Sequence, residues 1–300
     1  MKTFVSAFIF IFMLTFSGFG QANEANYRVF DAKGNSSSLE KILEAAGQAD
    51  VVFLGEQHDD ATAHALELQI FKAAFEKYGK ERKVALSMEM FERDVQVVVN
   101  EYLNNLISES HFLLSARPWN NYKQDYRPLV ELAKTGKLPV IAANAPRRYV
   151  NMVSRGGRET LDALSPEAKK WLAPLPYNQP SEVYAGKFKA LMGGSPESGM
   201  GINKILDSQT LWDTTMAYSI AEFLKENKQA LIVHLNGAFH TENRLGTAEQ
   251  LLKFRPKTKF IVITMRFEED FTKFDNAKHE NLGDFVILTD SKVPRSFKQQ

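Results

Sequence analysis

The chain has no cysteine in its 300 residues. That excludes disulfides, thiolate metal ligands, a cysteine nucleophile and the lipid-modified cysteine that would tether an exported protein to a bacterial membrane. It also lacks an excess of charge of one sign. Its 37 Lys and Arg against 36 Asp and Glu give a formal net charge of +1, which leaves no electrostatic footprint for nucleic acid and no polybasic membrane patch. Long apolar runs are missing beyond the first residues, MKTFVSAFIFIFMLTFSGFGQANEANY. There one Lys precedes a Phe- and Ile-rich run of about 13 residues and then small residues, the layout of a signal peptide over 1–20. Cleavage is expected near Gly20 or Ala22, so that the mature chain begins near Gln21 or Asn23. The rival reading, an uncleaved anchor, asks a short run to span a bilayer. The expectation is an exported protein, periplasmic or secreted and untethered, whose stability comes from its core alone.

After the leader, short β-branched apolar runs alternate with amphipathic helical stretches, the pattern of parallel strands with helical crossovers. The strand candidates are VVFLG at 51, KVALSME at 83, LPVIAAN at 138, ALIVHLNG at 230, KFIVITM at 259 and DFVILT at 284. Most are apolar throughout, so they read as central strands covered on both faces. The predicted fold is α/β, a mainly parallel sheet flanked by helices, over 21–150 and 209–294. Between them no β-branched run appears, and 151–208 reads as a small all-helical insertion with a helix start at Ser165-Pro166-Glu167. GGSPESGMG, 193–201, reads as a loop, either a lid or a plain connector. Thr247 and Gln250 suggest a capping box opening AEQLLKF.

Following each strand past its C-terminal end gathers polar residues at one edge of the sheet, where ligands of open α/β folds bind. The first strand runs into Gly55-Glu56-Gln57-His58 and the second into Glu89, Glu92 and Arg93. The third runs into Asn144-Ala145-Pro146-Arg147-Arg148-Tyr149, and a later one into Asn236-Gly237-Ala238-Phe239-His240 with Arg244 beyond. Gly55-x-x-His58 and Gly237-x-x-His240 each place a histidine three residues after a strand-end glycine, which permits a tight turn. Two imidazoles with Glu56 and Glu89 support three readings. They are a divalent-metal site through Glu56, His58, Glu89 and His240, a metal-free acid/base pair in which Glu56 or Glu89 is catalytic, or a structural network neutralised by Arg93, Arg147 and Arg244. Elsewhere, His234 inside an apolar strand reads as a core histidine, His64 as a surface or helix-face residue, and His111 and His279 as loop residues. Trp119, Trp171 and Trp212 read as packing anchors.

The series GEQHDD, SMEMFERDVQ, a Trp separated by six residues from YRPLVELAK, PVIAANAPRRYV, WDTTMA and HLNGAFHTENRLGTAEQLLK resembles the ChaN-like haem-binding uptake family. That family lies within the wider Tiki/TraB/erythromycin-esterase superfamily. The resemblance spans nearly the whole mature chain. It implies an α/β domain with a helical subdomain, haem as cofactor, a role in haem and iron uptake with other uptake components, and a homodimer. The wider superfamily implies the alternative, a metal-dependent hydrolase or peptidase using Glu56, His58, Glu89 and His240. For a haem binder the resemblance implies a tyrosine at the iron, since phenolate is a hard anionic donor once a neighbouring cation helps lower its pKa from about 10. Tyr149, beside Arg147 and Arg148, is the first candidate. Those arginines suit haem propionates, with His58 and His240 also facing the ligand. Tyr122, Tyr126, Tyr177 and Tyr184 are rivals.

Overall fold

The computed structural model describes residues 22–193 and 199–297. The expected leader over 1–20 and most of the GGSPESGMG loop lie outside them. In chain order the sheet and its first crossovers are β1 (Tyr27–Asp31), α1 (Leu39–Ala46), β2 (Val51–Glu56), α2 (Ala61–Tyr78), β3 (Val84–Glu92), α3 (Gln96–Leu103), α4 (Glu109–Ala116), α5 (Arg127–Thr135) and β4 (Val140–Asn144). A helical stretch follows, with α6 (Arg147–Gly156), α7 (Pro166–Lys169), α8 (Glu182–Leu191) and α9 (Gly199–Glu226). The chain closes with β5 (Leu231–Gly237), α10 (Thr247–Phe254), β6 (Phe260–Glu268), α11 (Asn276–His279) and β7 (Phe285–Asp290).

The seven strands form one sheet in the order β1-β7-β6-β2-β5-β3-β4. Every pairing is parallel except β1 with β7. All six residues of β2 and all seven of β5 are buried, as strands covered on both faces must be. The two-residue period sorts their side chains between layers. Val52, Leu54, Val233 and Leu235 pack with Leu66, Ile70 and Phe71 of α2 on one face. Val51, Phe53 and Ile232 pack with Met216, Ile220 and Leu224 of α9 on the other.

The six expected strands are β2 to β7, and β1 is an addition. Its five alternating residues pair antiparallel along one edge, too short a pattern to separate from loop. Ser165 caps α7 with Pro166 in its first turn, as expected. Over 147–226 the described residues form helices and turns and no strand, and the boundary expected at 208 falls inside α9. The capping box at Thr247 does not form. Gly246 occupies the cap position with φ +56°, and the Thr247 hydroxyl instead donates to Asp213 at 2.9 Å.

Candidate functional site

The two Gly-x-x-His turns pack on one another. A Cβ on Gly55 would stand 3.0 Å from the Ala238 Cα, and one on Gly237 would stand 2.8 Å from His58 Nε2. Each glycine is therefore the space into which the other turn fits, and parallel register sets this up by aligning Gly55 with Asn236 and Glu56 with Gly237. Beside them, the β3–β4 register shifts between Met88 and Glu92. Such an irregularity re-aims side chains at a strand end, and Glu89 here accepts the Gly237 N–H at 2.7 Å.

These strand ends border a cavity of about 250 Å³ lined by His58, Glu89, Glu92, Trp119, Asn144, Ala145, Arg147, Trp212 and His240. A wider groove of about 610 Å³, lined by Lys169, Lys170, Pro174, Pro176 and Tyr218 among others, contains no histidine and touches no strand end. The smaller, polar cavity is the chemically equipped one. Trp119 and Trp212, expected as packing anchors, form part of its wall. Each stands edge-on to a histidine, Trp119 to His58 and Trp212 to His240.

Each cavity histidine is backed by a carboxylate. His58 Nδ1 lies 2.7 Å from Glu56 Oε1, and the His58 side chain is 28% exposed. Burial works against charge on His58, but the Glu56 hydrogen bond and the charge of Glu89 raise its pKa. His240 Nδ1 lies 2.8 Å from Asp213 Oδ1, and its Nε2 lies 3.6 Å from Glu89 Oε1. Burial again opposes charge, and Glu89 followed by Asp213 overcomes it, lifting His240 to about 9. Asp213 is anchored in turn by the hydroxyls of Thr247 and Tyr184. Asp213 in α9 lies within the WDTTMA motif but was not anticipated as a site residue, because that motif assigned it no role.

Glu56 does not line the cavity. It is fully buried behind His58, and Oε1 also accepts the Tyr126 hydroxyl at 2.5 Å. That tyrosine sits on a π-helical turn, Tyr122–Tyr126, an irregularity that often marks functional positions. Oε2 of Glu56 turns instead toward His64, 3.5 Å away, and His64 Nδ1 lies 3.1 Å from Glu67 Oε2. Burial opposes charge on Glu56, but His64 and then His58 hold its carboxyl at about 2. Burial and the facing Glu56 push Glu67 well above the usual carboxylate range. Burial is outweighed on His64 by Glu56 and Glu67, which lift it to about 10. His64, expected at the surface or as a helix-face contact, is only 5% exposed.

The four residues read as one metal-ligand set are therefore split, with His58, Glu89 and His240 at the cavity and Glu56 behind it. Among the described residues, the group whose donors all lie within 4.8 Å of one another is Glu56, His64 and Glu67. The arginines do not neutralise the crevice acids either. Arg93 donates to Ser219 at 2.7 Å, and Arg244 pairs with Asp284. Arg147 is exposed at the cavity with no ion-pair partner among the described residues. Arg148 pairs with Asp94 at 2.5 Å, donates to the Tyr149 hydroxyl at 3.1 Å and lies 4.3 Å above the Tyr149 ring. Tyr149 is 8% exposed and packs with Val150, Val153 and Leu172. The rival phenols point inward. Tyr126 donates to Glu56, Tyr177 to the Asp207 carbonyl and Tyr184 to Asp213, while the Tyr122 hydroxyl is buried without a partner. His234 is the core histidine expected. It is fully buried at 2.8 Å from the Ser87 hydroxyl, and burial together with the charge on His240 lowers it to about 3. His279 is buried against Glu268 at 2.9 Å rather than free in a loop.

A family model described as haem-binding uptake, Tiki superfamily, ChaN matches residues 42–251. Among solved structures, one described as cofacial heme binding to ChaN of Campylobacter jejuni is 17% identical. It superimposes with a TM-score of 0.70 and covers 91% of this chain and 100% of its own. A Bacillus cereus protein is 12% identical with a TM-score of 0.50, covering 92% of this chain and 97% of its own. No curated protein matches the chain. At such identities the structural likeness establishes the α/β fold.

Proposed function

Since the chain belongs to the ChaN family of haem-binding uptake proteins in the Tiki superfamily, matched over residues 42–251, we propose that it is an exported haem-binding protein. It takes haem at the mouth of the strand-end cavity and serves haem and iron uptake. The observation that carries the site is the rim of that cavity. Arg147 stands there exposed and without an ion-pair partner among the described residues, next to a tyrosine whose hydroxyl receives a hydrogen bond from Arg148.

The donors present fit the group. Free arginine suits a propionate through paired N–H donors, and a phenol beside a guanidinium suits ferric iron, because the cation favours phenolate. Tyr149 is accordingly the proposed iron donor, with Arg147 and Arg148 for the propionates and His58 and His240 on the cavity side. Bound there, haem supplies a ferric centre to be carried. What the chain contributes is position and charge, with Asp213 and Glu56 fixing the two imidazoles. At about 250 Å³ the cavity is smaller than the roughly 300–1,000 Å³ typical of sites that enclose a ligand. It takes an edge of a flat ligand and leaves a face open. Cofacial binding, as described for the Campylobacter jejuni protein, fits such an open face and supports the proposal of a homodimer.

Tyr149→Phe keeps the ring and deletes the donor oxygen. We expect a shifted Soret band and haem affinity lower by about tenfold or more in a protein that remains folded. An unchanged spectrum and affinity would move the iron donor to His58 or His240.

A second reading is favoured by one arrangement, two carboxylate-backed imidazoles with Glu89 around one cavity, which suits metal-dependent or acid/base hydrolysis. Turnover of a peptide and ester panel, lost in His240→Gln, would support it.

A further inference from the structure

We propose that the chain holds a divalent transition-metal ion, of the zinc or manganese class, at a buried site formed by His64 Nδ1, Glu67 and Glu56 Oε2, one layer behind the strand-end cavity. The donor spacing is that of a coordination sphere. Ligands about 2.1 Å from a tetrahedral ion stand about 3.4 Å from one another. His64 Nδ1 lies 3.5 Å from Glu56 Oε2 and 3.1 Å from Glu67 Oε2, and the three donors lie within 4.8 Å of one another.

The side chains of Glu56 and Glu67 are fully buried, and in each one oxygen, Glu56 Oε2 and Glu67 Oε1, has no hydrogen-bond partner. Buried carboxylate oxygens are ordinarily paired or bound to metal, and here their neighbour is His64, one turn before Glu67 on α2 and facing Glu56 at the end of β2. The far side of that histidine is arranged as metal-bound imidazoles usually are. His64 Nε2 faces the His58 carbonyl at 3.1 Å and Asp125 Oδ2 at 3.6 Å. Asp125 is itself held by Asn121 at 2.8 Å and Ser296 at 2.9 Å. One nitrogen is thus tied down and the other is presented to two carboxylates.

Two carboxylates and a neutral imidazole match the charge of a divalent ion, and its binding releases whatever protons those donors carry. Glu56 would then couple the two layers, with Oε2 on the ion and Oε1 on His58 and Tyr126. The donor set of two carboxylates and one imidazole, with no cysteine anywhere in the chain, selects zinc, manganese or ferrous iron over cuprous copper.

The test is metal content by plasma mass spectrometry on tag-free full-length protein, expressed with added Zn²⁺ or Mn²⁺ and dialysed against chelator. The expected result is about one ion per chain, with thermal unfolding shifted downward by harsh chelation. Glu67→Gln keeps the size and shape of the side chain and removes its anionic donor, so it should fold and lose the ion. Glu89→Gln, on the cavity, should retain it. X-ray absorption on the wild-type chain should show nitrogen and oxygen ligands including one imidazole, independently of any variant. Folded wild-type protein with less than roughly a tenth of an ion per chain after expression with either metal would overturn the site. So would an ion that survives Glu67→Gln and leaves with Glu89→Gln, which would place it at the cavity.

Discussion

At the scale of single residues, the site rests on how each buried charge is met. Arg147 is the one cavity-lining cation with no ion-pair partner among the described residues, so its removal should be felt by an anionic ligand and little by the fold. Arg147→Gln should weaken haem binding about tenfold, ~1.4 kcal/mol, while leaving the Soret position set by the iron donor. Titration of the variant against the wild type checks both halves. His234 gives a prediction of opposite kind. Its folded pKa, about 3, lies below the ordinary 6.5, so the unfolded chain binds the proton and the folded chain does not. That contribution is complete above about pH 6.5 and is lost as pH falls toward 3, at about 1.4 kcal/mol per pH unit. Replacing both partners, His234→Leu with Ser87→Ala, removes the buried pair together. Denaturant unfolding between pH 7 and 4 should then show a shallower loss of stability in the double variant than in the wild type. Parallel curves would refute the assignment.

His234 was readable from sequence because a lone histidine inside ALIVHLNG has nowhere else to go. His64 and Glu67 were not read, although a signal existed. They lie three apart on the face of α2 that also carries Ala63, Leu66, Ile70 and Ala74, and polar residues on an apolar stripe must be satisfied from within. Asp125 had no such signal, and Asp213 had only its place in WDTTMA, which assigns it no role. Their roles arise from which helix packs on which strand end, information distributed over the whole chain.

Elements position the site through close contact of backbone. The Gly55 turn against Ala238 is the clearest case, since a methyl group at 3.0 Å from a Cα and 3.2 Å from Thr241 Oγ1 has no flexible neighbour to displace. Gly55→Ala should cost about 1–3 kcal/mol by overpacking and should spread the two Gly-x-x-His turns, weakening ligand binding beyond the loss of stability. Gly186 in α8 is the control. An added Cβ there meets nothing within 4 Å, so Gly186→Ala should stabilise by about 0.4–1 kcal/mol. Denaturant unfolding of the two variants decides. The strands that create this contact were legible, because β2 and β5 each open on an apolar run, Val51 to Leu54 and Leu231 to Val233. The register shift at Glu89 and the π-helical turn at Tyr126 were not, since each is a local departure that tertiary packing imposes on an otherwise regular segment.

For the molecule as a whole, the ends of β2, β3, β4 and β5 converge with α9 so that titratable groups are concentrated at one edge of a sheet packed between apolar layers. Among the described residues no helix is long and apolar enough to cross a membrane. Haem binding at the cavity mouth is the central claim, and the most direct measurement is the absorbance spectrum of the purified chain titrated with ferric haem. We predict a Soret band that saturates at about one haem per chain, carries the signature of an oxygen-donor ferric centre and changes in Tyr149→Phe. A spectrum no different from haem in buffer, at protein concentrations where the chain is folded, would contradict the account.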